Sequence, residues 1–252
     1  LDKNSFPITL EQGFAYSDNT IFARLASDTG ADTWTQYAAK FGITLHSGDS
    51  PNVPFDAPYA QSTVAMNSSG QPVDLSNDLL AESGFGQGDL LITPLTMTEI
   101  VSTVAANGWL YEPHVGLMAA AVQASDKGSV EVDKSSFPDA VPFSGGPVIQ
   151  SATATAMRHA MWSVVSYGTA YYSHHPDTGV RLVDTGTDIG GKTGTGQLSK
   201  GDPNAWFISL APDDQAPGGG AAKYASTIMK EHGNEGACQV FVSNDLYLSL
   251  HV

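Results

Sequence analysis

Cysteine is almost absent from this chain. Its 252 residues contain one, Cys238, which excludes an internal disulfide and any zinc site built on several cysteines. Basic residues are also few. Lys and Arg number 11 against 26 Asp and Glu, for a net charge of −15. With no basic stripe to meet a phosphate backbone, nucleic-acid binding is excluded as a reading. No apolar run reaches the length of a membrane span, and no signal peptide is visible. The chain begins at Leu1 rather than Met, and is read as a processed product or a fragment, with any membrane anchor expected before it. What remains, 41% hydrophobic and 15% charged, has the composition of a globular protein able to bury a core. No internal repeat, low-complexity tract or second-domain linker interrupts it.

Glycine is the exception to this scarcity, and it concentrates around Lys192. Gly190-Gly191-Lys192-Thr193-Gly194-Thr195-Gly196 sets one cation and two threonine hydroxyls among four glycines. Glycine weakens a strand and marks places where another backbone approaches closely. The stretch therefore reads as a cradle for an anion. Gly186 to Thr193 also spells the P-loop pattern, but a P-loop opens a helix whose amides hold the phosphates. Gly194, Gly196 and Pro203 oppose a helix at that point. A strand is expected instead.

The remaining elements follow from pattern. Thr9 to Gln12 has the form of a capping box starting a short helix towards Ala15. Ser17-Asp18-Asn19 interrupts it, and a second helix follows with Ile21, Phe22 and Leu25 at helical spacing. A third helix is expected to carry Trp34, Tyr37, Ala38 and Phe41 inward and to stop at Gly42. Residues 44–88, rich in Gly, Ser, Pro, Asp and Asn, read as a long functional or mobile segment. In it Gly84, Gly86 and Gly88 are expected to form turns rather than ligand contacts.

Further on, Thr93-Pro94 starts a helix that ends at Asn107-Gly108. Val115–Ala124 reads as a strand, residues 126–147 as loop, and Ser151 as the cap of a helix containing Met157, Met161, Val164 and Val165. Val180–Val183 reads as a short strand before the Lys192 strand. Ala205–Leu210, with Trp206, Ile208 and Leu210 on one face, pairs across the Pro212–Gly220 loop with Lys223–Met229. Ala237–Leu250 closes the chain as a helix with Val240, Phe241, Tyr247 and Leu248 as its apolar face. Trp34, Trp109, Trp162 and Trp206 are expected in the core. His174 and His175 are expected exposed, without the carboxylates a metal site needs, so no metal or cofactor is expected. Helices followed by an antiparallel meander give an α+β class in one domain over residues 1–252, mainly helical to about residue 170 and sheet plus closing helix from 180.

Two short motifs, Ser17-Asp18-Asn19 and Lys192-Thr193-Gly194, are two of the three signatures of enzymes that react with penicillin through a serine. Taken alone, Ser17-Asp18-Asn19 also fits a plain helix cap, and Lys192 an exposed strand lysine. Three further stretches carry the resemblance: Gly86-Gln87-Gly88-Asp89 running into Thr93-Pro94-Leu95-Thr96-Met97, then Tyr167-Gly168-Thr169-Ala170, and Ala205-Trp206-Phe207. Together they resemble the transpeptidase domain of penicillin-binding proteins, most like the class B kind, over most of the chain. The first of them does not resemble β-lactamases.

The resemblance implies a penicillin-binding-protein/β-lactamase-like fold in which an antiparallel sheet is packed with helices beside an all-helical subdomain. It implies cross-linking of peptidoglycan stem peptides, acylation by β-lactam antibiotics, an extracytoplasmic location, and partners in the division or elongation machinery. In its terms Ser17 relays a proton near the departing D-alanine, and Asn19 orients the substrate. Lys192 supplies positive potential. Thr193 and Thr195 bind the terminal carboxylate, the Thr195 N–H is one oxyanion donor, and Gly194 lets the substrate lie against the strand. The third signature, Ser-x-x-Lys, does not occur: no lysine of the chain has a serine three residues before it. That motif, with the strands and helix around it, is expected before Leu1. Two alternatives stand beside this reading, a β-lactamase or β-lactam sensor, and a non-catalytic protein that binds stem peptides or partner proteins.

Overall fold

A computed structural model describes residues 7–46, 55, 58–67, 69–115, 123–124, 130–131, 141–143 and 145–251. The helices are α1 (Leu10–Ala15), α2 (Asn19–Thr29), α3 (Ala31–Lys40), α4 (Asn77–Ser83), α5 (Pro94–Ala105), α6 (Ser151–Ser166) and α7 (Val240–Ser249). A two-residue pairing joins β1 (Gln123–Ala124) to β2 (Val130–Glu131). The main sheet is the antiparallel meander β3 (Gly190–Gly196), β4 (Asn204–Ala211) and β5 (Tyr224–Lys230), with β3 at one edge. Class and meander are those expected from the sequence.

Strand β4 is buried on both sides. Ala205, Phe207, Ser209 and Ala211 are fully covered on one face. Phe207 packs there with Val240, Phe241 and Tyr247 of α7 and with Val164 and Val165 of α6. On the other face Leu210 and Ile208 meet Val101 and Val104 of α5 and Met161 of α6. The alternation of Trp206, Ile208 and Leu210 was thus half of the pattern, because a strand enclosed between helices needs apolar or small residues on both faces. Fully burying each large side chain contributes about 1.5–3 kcal/mol.

Several expectations are corrected. Tyr37 is 50% exposed and α3 buries no residue fully, while Trp34, Ala38 and Phe41 are half-buried, Phe41 packing against Leu110 and Val148. All four tryptophans are half-buried rather than core. Residues 77–83 of the Gly/Ser/Pro/Asp/Asn-rich segment form α4, capped by the Ser76 hydroxyl on Leu79 N–H. The Ser151 cap is displaced by one residue, since Gln150 is the N-cap and Ser151 opens the helix.

Val180–Val183 is not a strand. Residues Leu182–Asp184 make a single 3₁₀ turn, and Arg181 pairs within it to Asp184 at 2.8 Å. The pairing of Val180–Val183 is a single antiparallel bridge, Arg181 to His174, with His175 N–H on Val180 O at 2.8 Å, which is too short to hold an extended ladder. Leu248 is 50% exposed, and the inward face of α7 instead carries Ser243 and Asn244 beside Val240, Phe241 and Tyr247. Of the strand expected over Val115–Ala124, the last two residues are strand, and residues 116–122 lie outside the described residues. In the expected loop 126–147, residues 130–131 are strand and most of the rest lie outside the described residues.

Candidate active site

Local geometry at Ser17-Asp18-Asn19 separates the three side chains by role. Helix α1 is capped at its start by the reciprocal Thr9–Gln12 pair and ends at Tyr16. Asp18 is the N-cap of α2, its carboxylate accepting from the N–H groups of Thr20 at 2.9 Å and Ile21 at 3.3 Å. Capping by Asp18 leaves Ser17 and Asn19 free of that duty. Ser17 sits at φ 57°, in the left-handed region, which a non-glycine residue adopts only when its surroundings enforce it. The enforcement is visible in three backbone bonds: Ser17 N–H to Phe14 O, Asp18 N–H to Gly13 O, and Thr169 N–H to Ala15 O.

The last of these ties the turn to the end of α6. There Gly168 lies so close to Ala15 O and Val164 Cα that a Cβ has no room. Glu11 braces the same junction, accepting from Ser163 Oγ at 2.5 Å and Tyr167 Oη at 2.9 Å.

Against this turn lies the glycine-rich strand. Lys192 Nζ donates to Ser17 Oγ at 2.8 Å, across 175 residues of sequence, and to Thr193 O at 2.8 Å. Its ammonium also lies 5.7 Å from the centre of the Phe14 ring, within cation–π range. Burial disfavours the charged form and brings its pKa from 10.5 down to about 8. The lysine is still mostly protonated at pH 7, with the third ammonium hydrogen left for another acceptor. Thr193 Oγ1 is 2.6 Å from Thr169 Oγ1.

Ser17, Asn19, Lys192, Thr193, Gly194 and Thr195 all line one open cleft of about 1250 Å³. Every site residue expected from the sequence is therefore in one place. The lysine is held by a serine hydroxyl and a carbonyl rather than standing exposed, and the strand carrying it is no P-loop. Part of the glycine pattern serves packing within the protein. Gly191 exists because the Phe207 ring occupies the place of its side chain, and Gly236 stacks on the backbone of Gly194 and Trp206. Gly190 is packed in the same way, against the Asp213 carboxyl. Gly84, Gly86 and Gly88 stand in turns as expected, and Gly84, at φ −61°, also lets α4 close onto Ala26 Cβ and Phe22 O.

Sequence reasoning passed over Phe14, Thr169 and Gln87 as site residues. The last two stand in motifs already noted, Tyr167-Gly168-Thr169-Ala170 and Gly86-Gln87-Gly88-Asp89. Gln87 Nε2 donates to Thr195 O at 2.7 Å, and its Oε1 accepts from Gln197 N–H at 3.1 Å. His174 is exposed as expected, but His175 is not: it packs edge-on against Phe241, with Asp245 at 3.7 Å. Among the described residues, no group of three His, Cys, Asp or Glu is placed to hold a metal ion. No helix among them is long and apolar enough to cross a membrane.

The profile of the family described as "Penicillin binding protein transpeptidase domain" matches residues 2–231. Among curated proteins the chain is 28% identical over 210 residues to penicillin-binding protein 3 of Bacillus subtilis (strain 168), covering 80% of this chain and 26% of that protein. It is 27% identical over 230 residues to peptidoglycan D,D-transpeptidase PbpA of Mycobacterium tuberculosis, covering 90% of this chain and 39% of that protein. The chain thus spans between about a quarter and two fifths of the length of these relatives.

Two solved structures share the fold. Penicillin-binding protein A from M. tuberculosis, an imipenem acyl-enzyme complex, superposes with a TM-score of 0.67 at 23% identity over 96% of this chain and 48% of that one. The D,D-transpeptidase domain of a peptidoglycan glycosyltransferase from Eggerthella lenta gives a TM-score of 0.68 at 22% identity, over 97% of this chain and 54% of that one.

Proposed function

The chain belongs to the penicillin-binding protein transpeptidase family, and from that premise we propose that it forms the carboxylate-binding and proton-relaying wall of a peptidoglycan D,D-transpeptidase site. The observation that carries this reading is the Lys192 Nζ to Ser17 Oγ contact of 2.8 Å inside a cleft that also presents Thr193 and Thr195. Its ligands are peptidoglycan stem peptides ending in a free carboxylate and the β-lactams that take their place, in an extracytoplasmic setting.

The roles follow from the donors. The free ammonium hydrogen of Lys192 and the hydroxyls of Thr193 and Thr195 receive the terminal carboxylate, the charge-assisted bonds being about twice as strong as neutral ones. Ser17 Oγ accepts from Lys192, so its own proton is available to the cleft. As the scissile C–N bond breaks, that proton passes to the departing amine nitrogen, and Lys192 replaces it on the serine oxygen. The carboxamide of Asn19, at the first position of α2 and in the cleft wall, orients the peptide. The Thr195 N–H stabilises the oxyanion. Acyl transfer also needs a nucleophile. With no Ser-x-x-Lys among the 252 residues, this chain supplies the wall and not the acyl acceptor.

Two measurements test the reading. An N-acyl-D-alanyl-D-alanine titrated against the isotope-labelled chain is expected to shift the Thr193 and Thr195 amides, and its C-terminal amide analogue is expected to bind about tenfold more weakly. Equal binding of acid and amide would remove the carboxylate role. Labelled penicillin is expected to leave no covalent adduct on this chain by intact mass; a stoichiometric adduct would show that an acyl acceptor is present after all.

A further inference from the structure

Among the described residues, strand β3 pairs with β4 on one side only, and its other edge faces the cleft. That edge is partly taken. Within a strand, alternate residues direct their backbone groups to the same side. Lys192 Nζ holds Thr193 O, and the two ends of the Gln87 amide hold Thr195 O and Gln197 N–H. A carbonyl at one residue and an N–H two residues on, bonded to a single amide, is the pattern made by one residue of a parallel neighbouring strand. The Gln87 side chain therefore imitates one residue of an added strand.

Its approach is built in. Gly86 at φ 80° and Gly88 at φ 72° flank it with left-handed turns, aiming the side chain at a strand 108 residues later. Gln87, Thr195 and Gln197 line the large cleft and also a second cavity of about 570 Å³. The second cavity is walled by apolar Ile92, Met97, Trp206 and Ile208, and the clasp stands where the two meet.

We propose that the Gln87 amide is a displaceable latch on the β3 edge that sets which ligands this site favours. With the latch closed, an incoming peptide reaches the Thr195 N–H but not the Thr195 carbonyl. A ligand that aims its own amide N–H at that carbonyl must displace Gln87, and its N-acyl group then enters the apolar cavity behind the clasp. Gln87 is a positioning and specificity residue in this scheme, not a catalytic one. The inference rests on the reading of β3 as a strand that a carboxylate-ended peptide joins.

The test compares N-acyl-D-alanyl-D-alanine with the analogue N-methylated at its acylamino nitrogen, which has lost that N–H, on the wild-type chain and on Gln87→Leu. Dissociation constants and Gln197 amide exchange are both read by NMR. In Gln87→Leu the N–H peptide is expected to bind about 2- to 10-fold tighter, the range for one net hydrogen bond, the N-methyl peptide to be unchanged, and Gln197 N–H exchange to quicken without ligand. Unchanged binding of both peptides with unchanged exchange would overturn the latch. Equal weakening of both would overturn it too, giving Gln87 a purely structural role. If the wild-type chain binds neither peptide, the carboxylate-binding role of β3 fails, and the ligand-free exchange at Gln197 still decides the clasp. Should Gln87→Leu not fold, Gln87→Asn, one methylene too short to bridge both groups, carries the same comparison.

Discussion

Lys192→Met isolates what the half-buried ammonium costs the fold and what it contributes to the site. Burial brings the Lys192 pKa from 10.5 to about 8, and one pKa step corresponds to about 1.4 kcal/mol. The charged form is thus held at a cost of up to about 3 kcal/mol below pH 8. Stability rises with pH wherever the unfolded chain binds more protons than the native one. Here the unfolded lysine keeps its proton up to about 10.5 and the native one to about 8, so the wild-type protein recovers this cost as pH rises between the two values.

Methionine fills nearly the same volume without charge, but it leaves Ser17 Oγ and Thr193 O without their donor, a loss of about 1 kcal/mol each. At pH 7 the variant is therefore expected to be more stable by about 1 kcal/mol, a rise in melting temperature of about 2–4 °C for a chain of this size. At pH 10.5 it is expected to be less stable, by about 1–2 kcal/mol. Other titrating groups are common to both proteins and cancel in the difference. Urea unfolding of the pair at pH 7 and pH 10.5 reads the crossover. A variant that is destabilised equally at both pH values would refute the burial of a charged lysine here. The same variant is expected to lose carboxylate-dependent peptide binding, the exchange of stability for function found at many active sites.

Three further outcomes follow from the same geometry. Ser17→Gly is expected to be about 1 kcal/mol more stable than Ser17→Ala by thermal unfolding, since both lose the hydroxyl and only glycine is at ease at φ 57°. Gly168→Ala is expected to destabilise by at least about 2 kcal/mol, because its Cβ would press on the Ala15 carbonyl and Val164 backbone that anchor the Ser17 turn; a neutral result in a denaturant titration would contradict the tight docking of α1 on α6. Asp213 is fully buried, and burial raises its pKa from 3.8 to about 7. Native protein then binds the extra proton between those values, stability falls as pH rises through them, and Asp213→Asn is expected to gain about 3–4 kcal/mol over wild type at pH 8 relative to pH 4. A gain independent of pH would remove that assignment.

Much of the architecture was legible because its signals are local. The Thr9–Gln12 capping box, the Thr93-Pro94 helix start and the turn between α1 and α2 each depend on residues within one or two turns of one another, and all stand in the structure. So does the meander, whose middle strand announces itself by alternation. Where the reading failed, the cause was usually how much packing or pairing the neighbours supply. Helix α3 is only half-covered, with Tyr37 50% exposed. Val180–Val183 has a strand's composition but a single bridge, Arg181 to His174, in place of a ladder. Helix α4 was hidden because glycines and prolines around it outweighed a seven-residue pattern.

At the site, residue type and order in the sequence established that a serine, an asparagine and a lysine flanked by glycines and hydroxyls were the candidates. They also established that no Ser-x-x-Lys accompanies them. Covalent spelling settles such things by itself. Only tertiary structure decided that Asp18 does the capping, so that Ser17 is free to meet Lys192 at 2.8 Å. Only it decided that burial softens that lysine, and that Gln87 reaches the edge of β3 from 108 residues away. The reason is physical. Contacts across 100 residues or more, and the dielectric they create, depend on how helices and sheet pack together, and that packing has no counterpart in the spacing of residues along the chain.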